Sequence, residues 1–263
     1  MELNVKDKVY MIAASSKGLG FGIARELALN GATVCLASRT RKHVEAAAQK
    51  LREETESTVL ASVFDATDAA SIKAWVNEAA LAFERIDGMV VNAGGPKPGN
   101  FDDFSDDAWQ ESFNLTLMSA VRLIREVLPH FRSGGGGSVL TITSLSVKEP
   151  IKGLLLSNVF RSGVASLVKS LSNELADEHI RVNNLIPGRI DTDRVKTLDK
   201  NLSEKLDAPV EMIKKQNEST IPLGRYGTVE EFGKAGAFLL SDAASYITGA
   251  SLIVDGGLLR SVL

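Results

Sequence analysis

Seven short apolar runs, rich in β-branched residues, punctuate this 263-residue chain, and stretches of helical periodicity separate them. The runs are Val9–Ala13, Thr33–Ala37, Thr58–Phe64, Gly88–Asn92, Ser138–Thr143, Arg181–Ile186 and Ser251–Val254. Continuous apolar runs of this length, bounded by turn residues, read as strands buried on both faces. Strands that alternate with helices are joined by right-handed crossovers, which give a parallel sheet with helices on both sides. The expected fold is a single α/β domain over residues 1–263, a doubly wound, Rossmann-type sheet of seven parallel strands.

Between the strands, Trp109, Phe113, Leu117, Ile124 and Leu128 recur at helical spacing and predict one apolar stripe. No shift in composition marks a second domain, and no internal repeat is present. The Gly134–Gly137 run lies between a helix expected to end near Phe131 and the strand at Ser138. No helix follows it, so it reads as a flexible connection rather than a phosphate cradle. The long segment without a strand, Asp193 to Ile221, is polar and partly helical in pattern, and stands where this architecture grows a substrate lid. After it, Thr228-Val-Glu-Glu231 matches a helix capping box.

Composition excludes several classes. A formal net charge of −3 supplies no basic field for a nucleic-acid backbone. No run approaches the ~18 apolar residues of a membrane span, and Met1 to Val9 lacks the apolar core of a signal peptide. A cytoplasmic protein acting on a small molecule is expected, with no nucleic-acid or membrane partner. The single cysteine, Cys35, sits in an apolar strand and reads as a buried, inert thiol. No residues are assigned to a metal.

After the first strand comes Ala13-Ala14-Ser15-Ser16-Lys17-Gly18-Leu19-Gly20, followed by a helix through Ile23, Ala24 and Leu27. A glycine turn opening a helix lets backbone N–H groups and the helix dipole meet a pyrophosphate. The spacing resembles the TGxxxGxG fingerprint of the short-chain dehydrogenase/reductase family, with Ala14 at the first glycine. A methyl group is tolerated there if Ala14 keeps a negative φ. Further motifs fall in family order: Asp65-Ala66, Asn92-Ala93-Gly94, Pro187-Gly188-Arg189-Ile190-Asp191-Thr192, Ile221 to Gly227, and Ile247 to Gly257. The resemblance implies that Ser15, Ser16, Lys17, Gly18, Leu19 and Gly20 hold the pyrophosphate, Asp65 and Ala66 the adenine, and Asn92 and Gly94 the adenine ribose. Pro187, Gly188, Ile190 and Thr192 would meet the nicotinamide. The second strand ends in Ser38-Arg39 rather than in the carboxylate that holds the 2′-hydroxyl of NAD. Arg39, with Lys17 as a second cation, suits a 2′-phosphate, so NADP(H) is the expected cofactor.

The family places a serine after the fifth strand, a tyrosine 13 residues on, a lysine four further, and an asparagine in the preceding long helix. Here Ser144 and Asn114 match the serine and the asparagine, while the tyrosine position is Ser157 and the lysine position Arg161. A serine hydroxyl is a far weaker acid than a phenol, and Arg161 stays charged. Arg161 would bond the nicotinamide ribose or grip an anionic group of the substrate, and Lys148 and Glu149 are alternative proton sources. The reading is an NADP(H)-dependent oxidoreductase interconverting a carbonyl and an alcohol with an altered proton relay. The alternative is a non-catalytic NADP-binding protein, a sensor or assembly partner. Halohydrin dehalogenases also carry the arginine, but they keep the tyrosine and lose the dinucleotide site, the reverse of this chain. A homo-oligomer, a tetramer by resemblance, is expected from the wide apolar arc of Val159, Phe160, Val164, Leu167, Val168, Leu171 and Leu175 on the helix from Ser157 to Ala176.

Overall fold

The computed structural model describes residues 2–261; the outermost positions of the expected domain, 1, 262 and 263, lie outside them. The strands are β1 (Val9–Ile12), β2 (Thr33–Ser38), β3 (Val59–Val63), β4 (Gly88–Val91), β5 (Gly137–Ile142), β6 (Ile180–Pro187) and β7 (Ser251–Val254). They form one sheet in the order β3-β2-β1-β4-β5-β6-β7, and every pairing is parallel. The expected strands shift by a residue or so at their ends. The largest consequence is at β5, which draws Gly137 out of the supposed flexible run and into the sheet.

Successive strand residues point to opposite faces, and the sheet is buried on both. Val9 and Met11 join one core with Ile72 and Trp75 of α3 (Ala69–Phe83), Leu123 and Phe131 of α5 (Ser119–Gly134), and Val164 and Val168 of α6 (Leu155–Glu174). Tyr10 and Ile12 join the other, with Ile23 and Leu27 of α1 (Gly18–Leu29), Val44 and Leu51 of α2 (Arg41–Thr55), and Phe232 of α9 (Val229–Leu240). Cys35 is fully buried in the first core, and burial pushes its thiol pKa up, as an inert structural cysteine requires. Among the described residues, no helix is long and apolar enough to cross a membrane.

The expected stripe from Trp109 to Leu128 does not stay on one face. A short α4 (Asp106–Phe113) runs into a π-helical turn, Asn114–Met118, before α5 begins. The wider turn changes the phase of the face. Leu117, Ile124 and Leu128 pack on the sheet core. Trp109 and Phe113 instead meet Phe160 of α6, with ring centroids 5.7 and 6.0 Å apart. Phe160, counted from sequence into an outward arc, thus packs within the subunit, whereas Val159 is 45% exposed.

The strandless segment is two helices, α7 (Asp193–Leu206) and α8 (Val210–Ser219). A buried carboxylate, Asp199, ties them to the body. It accepts hydrogen bonds from Arg189 (3.1 Å), Asn217 (2.9 Å) and the Tyr226 hydroxyl (2.8 Å). Thr228 and Glu231 form the expected capping box at the start of α9.

Candidate active site

The strand order reverses at the β1–β4 pair, and there the chain leaves the carboxyl ends of the two strands toward opposite faces. A crevice opens at such a switch point, which is where α/β sheets of this kind bind ligands. It is a cavity of about 1090 Å³, lined from the turn after β1, the loops after β4, β5 and β6, and α7. Lys17, the residue before α1, provides no side-chain cap. The first N–H groups of α1, at Gly18 and Leu19 on the cavity wall, are therefore free of a capping side chain and suited to an anion.

The turn is tight. A Cβ at Gly20 would stand 2.9 Å from the carbonyl oxygen of Ala14 and 3.2 Å from Nδ2 of Asn92, so only glycine fits. Asn92 Nδ2 donates to the Ala14 carbonyl at 3.3 Å and so joins the loop after β4 to the turn after β1. Ala14 itself has φ +49°, against the negative value expected for a non-glycine residue. The turn needs left-handed backbone at the place where the resembled fingerprint has glycine, and the alanine carries the strain of its Cβ there.

Of the other residues assigned to the dinucleotide, Lys17, Gly18, Leu19, Asn92, Gly94, Pro187, Gly188, Ile190 and Thr192 line the cavity. Ser15 does not; its buried hydroxyl donates to the Ile12 carbonyl (2.7 Å) and accepts from the Ala37 N–H (3.1 Å), bracing β1 against β2. Thr192 caps α7 by accepting from the Val195 N–H at 3.4 Å. Ser16, Gly20, Ser38, Arg39, Asp65 and Ala66 lie off the wall. Arg39 is exposed, and its charge helps hold the Asp65 carboxyl below its usual pKa, behind the larger effect of a hydrogen bond from the Thr67 N–H. The two cations expected to share one phosphate differ: Lys17 Nζ lies 2.6 Å from an oxygen of Asp193, whereas no ion pair among the described residues involves Arg39.

The chemical end gathers at β5 and α6. Ser144 caps the turn after β5, its Oγ accepting from the Ser146 N–H at 3.2 Å. That contact uses a lone pair and leaves the O–H to donate into the cavity. Ser157, buried in the first turn of α6, and Arg161, one turn later, line the same wall. One guanidinium nitrogen of Arg161 donates to the carbonyls of Ile142 (2.9 Å) and Thr143 (3.3 Å), fixing the strand end that presents Ser144. Burial, and then the charge of Arg194, pull the Arg161 pKa down to about 10, so it is a cation at neutral pH. Asn114 starts the π turn and is not on the cavity wall. Thr116, two residues on, is not on it either; its buried hydroxyl, without a hydrogen-bond partner, lines a separate small recess with Asn92 and Arg161.

The wall also includes Arg189 and Arg194, which fall in segments the sequence singles out but to which it gives no role, and Leu258–Arg260, which it does not single out. Arg194 reaches back to the Pro96 carbonyl at 3.3 Å, and no local pattern announces a contact that spans so much of the chain.

Sheet, switch-point cavity and glycine turn define a Rossmann-type α/β protein. Residues 13–259 match the family profile described as enoyl-(acyl carrier protein) reductase. The chain is 32% identical over 252 residues to the 3-oxoacyl-[acyl-carrier-protein] reductase FabG of Chlamydia trachomatis, covering 96% of this chain and 97% of that one. It is 33% identical over 254 residues to human dehydrogenase/reductase SDR family member 4, covering 95% and 87% respectively. Among solved structures, L-sorbose reductase from Gluconobacter frateurii, complexed with NADPH and L-sorbose, superposes with a TM-score of 0.95 at 29% identity over the whole of both chains. An NADPH-bound short-chain oxidoreductase from Pseudomonas aeruginosa PAO1, described as containing an atypical catalytic center, has a TM-score of 0.87 at 27% identity, covering 98% of this chain and 100% of that one. The chain belongs to the short-chain dehydrogenase/reductase family.

Proposed function

We propose that this protein is an NADP(H)-dependent oxidoreductase that interconverts a carbonyl and an alcohol, with a proton relay altered at Ser157 and Arg161. The observation that carries the reading is the shared wall: Ser144, Ser157 and Arg161 face the cavity into which the N-terminus of α1 opens. The relatives agree in kind, being reductases, and the solved neighbours above hold NADPH.

The close approach at Gly20 and the uncapped helix end support a dinucleotide phosphate at the turn. Gly18 and Leu19 would hold the pyrophosphate, Asn92 and Gly94 the adenine-side ribose, and Ile190 and Thr192 the nicotinamide amide. Arg39, exposed at the end of β2, is the group available to a 2′-phosphate. When bound, the reduced nicotinamide supplies the hydride. Ser144 donates its O–H to the substrate oxygen and stabilises the charge that develops there. Ser157 is too weak an acid to stand in for a phenol whose ordinary pKa is about 10, so the oxygen that gains charge on hydride addition takes its proton from solvent water in the cavity. A positioned acid contributes about 10²–10⁴ in rate, so turnover slower by that order than in a tyrosine-bearing relative is expected. Helices α7 and α8 act as the substrate lid, and the subunit assembles as a homo-oligomer, for which a mass above the monomer by light scattering is the check.

The test is turnover. Purified protein is incubated with NADPH and with NADH against ketones, aldehydes, ketoses and acyl thioesters, following loss of the reduced nicotinamide. NADPH-dependent reduction of one class is the expected result. NADPH binding without reduction of any would overturn the enzymatic reading in favour of a non-catalytic NADP-binding protein.

A further inference from the structure

The ionic groups of the cavity wall do not balance. Its cations are Lys17, Arg161, Arg189, Arg194, Lys196 and Arg260, and its carboxylates are Glu149, Asp191 and Asp193. Three of the cations are already paired: Lys17 with Asp193 (2.6 Å), Lys196 with Asp191 (3.4 Å), and Arg189 with the buried Asp199 (3.1 Å). What remains is Arg161, Arg194 and Arg260 against Glu149 alone, and none of these four has an ion-pair partner among the described residues.

Two of the unpaired guanidinium groups are fixed in place. Arg161 is held by the carbonyls of Ile142 and Thr143, immediately before Ser144. Arg194 lies across the loop after β4, donating to the Pro96 carbonyl at 3.3 Å, and a Cβ on Gly95 would come within 3.2 Å of its terminal nitrogen. Gly95 therefore leaves room for the guanidinium. The two groups sense each other, since the Arg194 charge is one cause of the lowered Arg161 pKa. Like charges held together beside a cavity are unfavourable until an anion lies between them. Each has donors left over, because one nitrogen of each accounts for the protein contacts above.

The position of the pair assigns the anion. The glycine turn stands over β1, whereas Arg161 and Arg194 stand over the ends of β5 and β4, on the Ser144 side of the cavity. Neighbouring strands are about 4.8 Å apart, which sets Arg161, held at the end of β5, two strands from the glycine turn, while α7 approaches that turn at Thr192 and Asp193 and carries Arg194 to the loop after β4. We infer that Arg161 and Arg194 form a carboxylate-binding site for the substrate, and that the carbonyl compound this protein reduces is an oxo acid. A planar carboxylate matches the guanidinium fork, and the carbonyl would then reach Ser144 a few bonds away. Arg194, supplied by α7, is the specificity-determining residue, and it completes the site only with α7 packed over the loop after β4.

This inference rests on the reductase reading, so its test has one arm that needs turnover and one that does not. Pyruvate, acetoacetate and levulinate are each compared with their methyl esters, first as substrates with NADPH, and then as ligands of the full-length protein–NADPH complex by calorimetry. At least one acid should exceed its ester by about ten- to a hundredfold in kcat/KM and in affinity, the range a charge-assisted hydrogen bond supplies. Arg194→Ala should bring acid and ester together, and Arg194→Lys should fall between, because it keeps the charge without the fork. NADPH affinity measured without substrate should stay within about twofold in both variants, which also reports that they fold. Acid-selective binding that depends on Arg194, without reduction, would keep the site and discard the reductase reading. Reduction of esters as well as acids, with no effect of Arg194, would discard the site and keep the reductase. Equal binding of acids and esters across the set, or a loss of NADPH affinity in Arg194→Ala as large as the loss for the acid, would also overturn the carboxylate site.

Discussion

Lys17 Nζ, in the turn before α1, lies 2.6 Å from a carboxylate oxygen of Asp193, the first residue of α7. The pair joins the glycine turn to the start of α7 across the cavity wall. Both side chains are mostly exposed, 70% and 64%, so the contact is worth at most about 1 kcal/mol to the fold. On the proposed placement of the cofactor its effect is on ligand electrostatics, because Asp193 neutralises a cation of the glycine turn. Asp193→Asn should tighten NADPH binding a few-fold at low salt, with the gain fading as salt screens it. Titration by intrinsic fluorescence at two ionic strengths checks this; weaker binding in the variant would contradict it.

Arg39 should set the choice between cofactors. It follows the last residue of β2, a strand without a carboxylate, and Lys17 is engaged elsewhere. Arg39→Ala should weaken NADPH by about 1.5–3 kcal/mol, the worth of a hydrogen bond to a charged group, and leave NADH unchanged. Equal losses for the two cofactors would show that Arg39 does not read the 2′-phosphate.

The two serines of the wall should differ sharply in consequence. On the proposed mechanism Ser144→Ala removes the donor to the substrate oxygen, and it should cost about 10²–10³ in kcat, with cofactor affinity retained. Ser157→Ala should cost less than tenfold. Ser157→Ala as damaging as Ser144→Ala, with NADPH binding intact, would make Ser157 a proton conduit and overturn the assignment.

The Asp199 cluster should make the α7–α8 segment sensitive to alkali. Burial, then the hydrogen bond to Asp199, push the Tyr226 pKa up to about 12 from an ordinary 10.0. The fold therefore favours the neutral phenol. This contribution is complete below about pH 10 and is lost as pH rises toward about 12, because only the unfolded chain ionises in that window. Urea midpoints for the protein and for Tyr226→Phe, measured across the window, should converge at high pH; Tyr10, buried in both, cancels in the difference. At neutral pH Tyr226→Phe should cost about 1 kcal/mol, whereas Asp199→Ala, which strands Arg189, should cost about 3–5 kcal/mol.

Ala14 offers the opposite sign. Its φ of +49° charges an L-residue about 1–2 kcal/mol, against about 0.5–1 kcal/mol of extra chain entropy lost by glycine. Ala14→Gly should therefore raise stability by about 0.5–1 kcal/mol, seen as a higher thermal midpoint. A lower midpoint would mean that the methyl group makes compensating contacts.

What the chain disclosed in advance was what lies in local pattern. Each strand announces itself in its own run of residues, and Ser144 and the Lys17–Gly20 turn follow directly from strand ends. The order of the strands is not local: right-handed crossovers restrict it, but the reversal at β1–β4 is read only from the folded sheet. Three other features are not local. An alanine does not declare a left-handed backbone, so the strain at Ala14 was invisible. Arg194 becomes a wall residue only when α7 folds back over Gly95, and Arg189 only when Asp199 is buried beside it. The apolar spacing from Trp109 to Leu128 is compatible with a regular helix, and nothing in it reveals that the helix changes pitch at Asn114.

That change of pitch makes the segment from Asp106 to Gly134 a rod with two azimuths. Each residue of an α-helix advances about 100° around the axis. Shortening the Asn114–Met118 turn by one residue would swing Trp109 and Phe113 by about that angle, away from Phe160, while Leu123, Val127 and Phe131 stayed against the sheet. The segment should accept many changes of side chain and almost none of length, because its residue count, more than the chemistry of any one residue, sets the angle at which α4 meets α6.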